Sequence, residues 1–510
     1  MKQQMQINTG HSDHKYTRVM IALICLFFGL LWLVLFRPQP PTWDGAFYYT
    51  YARSLAFDGD FNLVNDIVLS YPTGGEQYAS KGFENRLTST GHLDNVFAPG
   101  TGLFWVPWLL VTRTILTPSS TSPLTGYEWS FTYGAAFISA ILVLVALLLL
   151  FRRMRLAFGN MAAFIAVMTL MIATPLVHYQ FRDGFYSHAA SALTTTASVL
   201  LWWRLYRTQP RPAAYAILGA SIGLAMLVRT QLVIYLILPA LSVAWWVWQE
   251  SDRKKALRQG IVALAAAGLG ALAVFAFQMI LWKLYYDSWI TIPQGDTFMD
   301  WRAPWIWPTL VSTYRGIVPW MPVVVLSIAG LILLLKYDAR LALPLLLVFL
   351  LELYVNGSTR DWFGGGGFGP RRFTSELAIL TIGYAALLWR MSSRLRIVFG
   401  GVAFVLMGLH QFILVRFGLS DKIGGYLTSM SPTFNWVDTN WMEFGRVLLS
   451  YGRGIIREPS DLFILHGSRL DEWSRNSETI SAELAIVFAI SCLTGLFLVA
   501  VIALERRSNQ

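Results

Sequence analysis

About a dozen apolar runs, most of them 17–25 residues long, divide this chain, and short clusters of Lys and Arg separate many of them. A helix of about 20 residues is roughly 30 Å long, the thickness of a bilayer's hydrocarbon core. Inside that core no water is available, so each backbone N–H and C=O must pair within the protein. The runs therefore predict an all-α polytopic membrane protein. Composition agrees: of 510 residues 55% are hydrophobic and 14% charged, where a soluble chain carries about 25% charged residues. The 21 tryptophans suit aromatic belts at two membrane interfaces.

A net charge of +11 raises the question of nucleic acid. The basic residues sit in short clusters between apolar runs rather than along one surface, so positive-inside topology accounts for them and no nucleic-acid partner is expected. Cys25 and Cys492 both lie within apolar runs; they read as small buried hydrophobes rather than a disulfide or metal site. The first run, roughly 19–36, follows Lys15 and Arg18 and lacks a small-x-small cleavage site before Pro38. It reads as an uncleaved signal anchor.

Spans are expected at about 17–36, 130–150, 159–178, 187–205, 213–229, 231–248, 260–284, 313–335, 341–355, 374–390, 396–415 and 481–503. A further run at about 98–116 is long enough to cross. If it lies instead in the outer interface, Arg152/Arg153/Arg155, Arg204/Arg207/Arg211, Arg253/Lys254/Lys255/Arg258, Lys336/Arg340, Arg390/Arg394/Arg396 and Arg506/Arg507 all fall on the cytoplasmic side. Counting it as a span reverses everything downstream of it. Twelve spans with both ends in the cytoplasm is the better assignment. The long loops 38–129, 285–312, 356–373 and 416–480, and the turn 179–186, are then external, and the inner loops are short and basic. The expected organisation is a bundle over 1–415, an external segment or small subdomain over 416–480, and a last span with a cytoplasmic tail over 481–510. No internal repeat of the kind that marks a duplicated transporter is evident.

The first external loop begins Trp43-Asp44-Gly45-Ala46-Phe47-Tyr48-Tyr49 and continues through Arg53-Ser54-Leu55 to Asp58-Gly59-Asp60 and Asn65-Asp66. Asp44 falls just after the first span, at the start of a predicted helix over 44–55, where a carboxylate caps the N-terminus. The spacing of Asp58, Asp60 and Asp66 does not complete an EF-hand loop, so turn chemistry is the reading there. The pattern D-x-x-x-Y-x-x-x-A-R-S-L-x-x-D-G-D-x-x-L-x-N-D, directly after a first span, resembles the loop of the GT-C superfamily. These are membrane glycosyltransferases that use polyprenyl-phosphate sugars, such as protein O-mannosyltransferases and lipid A aminoarabinose transferases. The resemblance implies that Asp44 is the active-site acid, as base or positioning carboxylate for the acceptor. Where the family often has a second acid beside the first, this chain has Gly45. The segment Asn95-Val96-Phe97-Ala98-Pro99-Gly100 is similar to the family's K-H-P-P-G-x-P, with Phe97 and Ala98 where basic residues often stand. It implies that 98–116 opens as a juxtamembrane helix; the local alternative is an ordinary Pro-Gly turn.

Three further sites hold ionisable residues at outer helix ends, where burial is costly without a partner or a function. The turn Arg182-Asp183-Gly184-Phe185-Tyr186-Ser187-His188 offers Asp183 as a second external acid and His188 as a donor-phosphate ligand. An Arg–Asp turn with a capping His is the alternative. Arg229 and Gln231 sit at another outer boundary, where they can face a phosphate. The string Arg360-Asp361-Trp362-Phe363-Gly364-Gly365-Gly366-Gly367-Phe368-Gly369-Pro370-Arg371-Arg372 lets backbone approach a ligand and ends in two guanidiniums suited to phosphate. It is not a P-loop, since no Lys-Ser/Thr follows. It resembles the G-G-x-x-F/Y-G-P-R segment of bacterial GT-C-like proteins, and the alternative is a loop whose arginines snorkel to lipid headgroups. The loop 294–307, with Asp296, Asp300, Trp301, Trp305 and Trp307, can stack sugars or serve as an interfacial belt.

The reading is an inverting glycosyltransferase at the outer face of a prokaryotic cytoplasmic membrane. Asp44 and Asp183 are its candidate catalytic acids. Arg371, Arg372, Arg53, His188 and Arg229 are its candidate donor-phosphate ligands. Its partners are a polyprenyl-phosphate sugar, a glycan, lipid or protein acceptor, and membrane lipids. No cofactor is assigned; Asp44, Asp183 and Asp296 leave a divalent metal open, though their spacing does not call for one. The rival classes are a transporter or flippase of a lipid-linked or anionic solute, and a lipid-linked glycan polymerase or ligase.

Overall fold

The structure, a computed structural model, describes residues 12–36, 40–70, 87–312, 315–365, 367–419, 496, 497 and 503. The expected external segment 416–480 and last span 481–503 lie almost wholly outside the described residues. Among those described the fold is all-α, with two isolated β-bridges, Leu87 to Leu93 and Met299 to Thr359.

In chain order the helices are α1 (Ser12–Leu35), α2 (Asp44–Arg53), α3 (Val64–Ser70), α4 (Gly100–Leu103), α5 (Val106–Leu116), α6 (Trp129–Phe158), α7 (Asn160–Ile172), α8 (Leu176–Phe181), α9 (His188–Leu205) and α10 (Pro212–Val228). There follow α11 (Ile237–Gln249), α12 (Arg253–Tyr286), α13 (Ile306–Val311), α14 (Ile317–Trp320), α15 (Val323–Gly357), α16 (Leu377–Trp389) and α17 (Ser393–Leu419). Two 3₁₀ segments, Thr230–Leu236 and Arg371–Glu376, lead into α11 and α16. Four of the helical stretches, Tyr16–Leu33, Trp129–Phe158, Thr230–Gln249 and Arg253–Tyr286, are long and apolar enough to cross a membrane on length and composition alone.

The expected spans at 313–335 and 341–355 emerge as one element, α15, interrupted at Asp338, whose backbone (φ −148°, ψ 76°) is not helical. The chain reverses there. Trp320, just before the first arm, packs on Phe368, and Gly357, at the end of the second, accepts a hydrogen bond from Trp305 N–H. Both therefore lie near the 359–373 loop. Tyr337 instead packs on Trp389, some 27 Å from Arg371 along 18 helical residues at about 1.5 Å each. One Asp338 oxygen accepts from Leu341 N–H and so caps the second arm; the other accepts from Tyr206 Oη (2.6 Å) and pairs with Arg207 (2.7 Å).

At that same end Arg153 covers Trp203, Arg155 bonds Thr17, Arg340 covers Trp245 and Arg390 covers Trp389. These are the basic clusters that charge alone assigned to one side. At the opposite end α4 and α5 pack beside α2 and the first third of α6. Trp105 donates to Ser139, Trp108 to Ser130 O, and Arg113 to the carbonyls of Ala56 and Phe57. Segment 98–116 is thus bent at Phe104–Trp105 and stays at one end of the bundle.

Close helix contacts need small residues. A Cβ on Gly219 would lie 1.9 Å from Ala267 O, and one on Gly330 1.8 Å from Gly383 O, so α10 meets α12, and α15 meets α16, backbone to backbone. Cys25 corrects the expectation of a buried thiol. Met20, Ile24, Phe27, Phe28, Leu31 and Leu35 bury one face of α1, and Cys25 sits on the exposed face. In a helix only one stripe packs inward, and the apolar run alone does not say which residues belong to it.

Asp338→Ala is expected to lower the stability of the detergent-purified protein by about 2 kcal/mol, one lost cap plus one lost buried hydrogen bond. Asp338→Asn keeps a capping acceptor and is expected to recover about half of that. Thermal melting of the two variants measures the difference.

Candidate active site

Asp44 is the first residue of α2. It follows Trp43, whose φ of +50° is rare for a residue with a side chain. Asp44 Oδ2 lies 2.8 Å from an Nη of Arg371, and both side chains are largely buried. The helix cannot pivot freely, because a Cβ on Gly45 would lie 2.9 Å from Cβ of Phe185. A second acid at position 45 would not fit against the 183–188 turn, which gives the departure from the family's paired-acid pattern a steric cause.

The glycine string holds Arg371. Gly364 and Gly365 have φ of +74° and +64°, open to glycine and strained for other residues. A Cβ on Gly364 would lie 3.3 Å from Nε of Arg371, and one on Gly367 would lie 2.8 Å from its Cδ and 2.6 Å from Tyr179 Oη. On its other side the guanidinium covers the ring of Tyr186 at 5.1 Å. Tyr179 donates to Phe368 O (3.1 Å), tying the loop to α8. Burial pulls the Arg371 guanidinium down, but Asp44, Tyr179 and Tyr186 outweigh it, and its affinity for its proton is raised overall.

The candidates fall into separate groups. Asp183 pairs with His178 Nε2 at 2.9 Å. Burial raises the Asp183 carboxyl, yet His178 and Arg371 together hold it below the usual carboxylate range. His188 Nδ1 is 2.8 Å from Thr374 Oγ1, and its ring lies against Tyr179 and stacks on Tyr186. Its Nε2 is buried with no hydrogen-bond partner among the described residues. Arg229 donates to Arg372 O (3.2 Å) and Ser375 Oγ (3.3 Å). Arg372 is held by Asp361 (2.6 Å) and Thr359.

The structure does not bring Arg53 to this group. Nine residues of α2 separate it from Asp44, about 14 Å of helix, and it bonds Asp58, Asp66 and Thr125 O. Asp296 is exposed in the 287–305 loop. Among the described residues no three His, Cys, Asp or Glu side chains gather as a metal site.

Two residues went unrecognised in the sequence. Glu352 and Glu376 are fully buried beside Arg229: Gln231 donates to Glu352 (3.3 Å), and Tyr235 donates to Glu376 (3.0 Å). The 3₁₀ segment 230–236 thus clamps α15 and the Arg371–Glu376 turn together. A carboxylate inside an apolar run was the available signal. His178, Asp183's partner, lay at the close of an expected span.

Residues 131–282 match the family described as dolichyl-phosphate-mannose-protein mannosyltransferase. The match covers 152 of the 510 residues, from α6 through most of α12, and over them the chain is similar to that family. Among solved structures, the chain is similar to ArnT from Cupriavidus metallidurans bound to undecaprenyl phosphate, with a TM-score of 0.50 and 15% identity over 96% of this chain and 77% of that one. The likeness is one of fold. A weaker match is AglB from Archaeoglobus fulgidus in complex with an inhibitory peptide and a dolichol-phosphate, with a TM-score of 0.45 and 14% identity over 82% of this chain and 54% of that one. A search of curated sequences finds no match.

Burial pushes the Asp66 carboxyl up to about 7 despite Arg53. Its ordinary value is about 3.9, so between about pH 4 and 7 the folded protein holds a proton that the unfolded chain has released. Stability then falls as pH rises through that window. Asp66→Asn is expected to flatten this fall, which melting curves at a series of pH values would reveal.

Proposed function

We propose that this protein is a GT-C-type membrane glycosyltransferase that moves a sugar from a polyprenyl-phosphate-linked donor to a hydroxyl of a glycan, lipid or protein acceptor at the extracytoplasmic face of the cytoplasmic membrane. The observation that carries the reading is the Asp44–Arg371 pair, flanked by Arg229 and walled by Tyr186. A carboxylate able to take a proton stands beside guanidiniums able to take a phosphate. The undecaprenyl phosphate held by ArnT, which shares the fold, supports a lipid phosphate as the donor's carrier.

In the proposed reaction Asp44 accepts the acceptor's hydroxyl proton as that oxygen bonds the anomeric carbon. The bond from the anomeric carbon to the phosphate oxygen breaks on the opposite face, with inversion, and its electron pair leaves with the lipid phosphate. Arg371 and Arg229 stabilise the charge that develops there. Arg372, already neutralised by Asp361, shapes the turn and adds little free charge. Asp183, held by His178, lies within electrostatic reach of Arg371 and orients the acceptor. The polyprenyl tail remains in the bilayer, and the clusters at the far end of the bundle mark the cytoplasmic side.

In a transfer assay with a defined polyprenyl-phosphate sugar, Asp44→Asn is expected to lower kcat by about 10²–10⁴, the usual worth of a general base. Arg229→Ala is expected to act on donor KM as well as kcat. Full transfer by Asp44→Asn would remove Asp44 from the role of base.

A further inference from the structure

We infer that Asp44 and the donor phosphate compete for Arg371, so that binding of the donor itself frees the carboxylate that receives the acceptor's proton. This rests on the donor reading above and adds an order of events to it.

The two roles given to Arg371 collide in space. Its guanidinium is closed on one side by the backbone of Gly364, Gly365 and Gly367 and on the other by the Tyr186 ring. Only 13% of its side chain is exposed, and an Nη already meets Asp44 Oδ2 at 2.8 Å. Among the described residues Asp44 supplies the carboxylate at ion-pair distance from it. Among the neighbouring arginines the commitments differ. Arg372 is bound to Asp361, itself 36% exposed at the rim. Arg229 bonds a carbonyl and a hydroxyl, and no carboxylate lies within ion-pair distance of it among the described residues.

An arriving phosphate therefore meets Arg229 with no direct ion pair to break, Glu352 and Glu376 lying behind it, and Arg371 with one. When the phosphate takes the Arg371 Nη, Asp44 loses its ion-pair partner and its oxygen becomes available to a hydroxyl. Without donor, that oxygen stays engaged by the guanidinium. The cation beside it also holds down the basicity of the carboxylate, so Asp44 becomes the stronger base once the phosphate has taken its partner. The glycine string serves this exchange: it lets backbone pack on the Arg371 stem, so the guanidinium stays where either anion can reach it.

The test is equilibrium binding of a short-chain polyprenyl monophosphate, without sugar, to the full-length protein in detergent. Wild type, Asp44→Asn, Asp44→Ser and Arg371→Ala are compared after each is shown to be monodisperse with a cooperative melt. Competition predicts that both Asp44 variants bind about tenfold tighter than wild type, the scale of one partly exposed charge-assisted contact, while Arg371→Ala binds more weakly. Equal or weaker binding by both Asp44 variants, with Arg371→Ala still impaired, overturns the competition and leaves the donor reading standing. Binding that is absent in wild type, or equal in wild type and Arg371→Ala, overturns the donor reading and the competition with it.

Discussion

Hydrocarbon neither donates nor accepts a hydrogen bond, and every part of this molecule answers to that constraint. Within the bilayer the backbone closes its hydrogen bonds as helices, and the helices approach through small residues, as at Gly219 against Ala267 and Gly330 against Gly383. Most charge is pushed toward the helix ends, and where it enters the bundle it is tied down. Asp338 is the plainest case at one end: it caps the second arm of α15, takes Tyr206 and pairs with Arg207, so one carboxylate fixes the reversal of the chain. At the other end the same need is met by a cluster of ion pairs. The acid of the first loop and the arginine of the glycine string satisfy each other.

That cluster is divided into separate pairings. Arg372 with Asp361 and Arg53 with Asp58 and Asp66 are closed pairs that shape loops. Asp44 with Arg371 joins the start of α2 to the turn that enters α16. Behind it Glu352, Glu376, Gln231 and Tyr235 bind the 3₁₀ segment at 230–236 to the turn at 371–376, which sets Arg229 beside Arg371.

Much of this was legible without coordinates. The apolar runs and the Lys and Arg clusters between them are local properties, and they predicted the long helices, α2 and the helical character of 98–116, while the short helices α3, α13 and α14 carry no such signal. Asp44, Asp183, His188, Arg229 and Arg371 stood out because an ionisable residue at a helix end next to lipid needs a reason to be there. The glycine string was read as a cradle for a ligand. In the fold at least three of its glycines lie against the Arg371 side chain, a contact between positions adjacent in sequence that periodicity does not reveal.

The sequence by itself determined which long segments are helical, where the bundle's two ends fall and which ionisable residues stand at one of them, because these follow from the cost of moving peptide groups and charges into hydrocarbon. Tertiary structure alone decided the pairings. Arg53 and Arg371 look alike in the string of letters, yet Arg53 is locked to Asp58 and Asp66 while Arg371 crosses from α16's entry to meet Asp44, 327 residues away in the chain. An ion pair depends on distance to a few tenths of an ångström, and that distance is set by how helices far apart in sequence pack against each other.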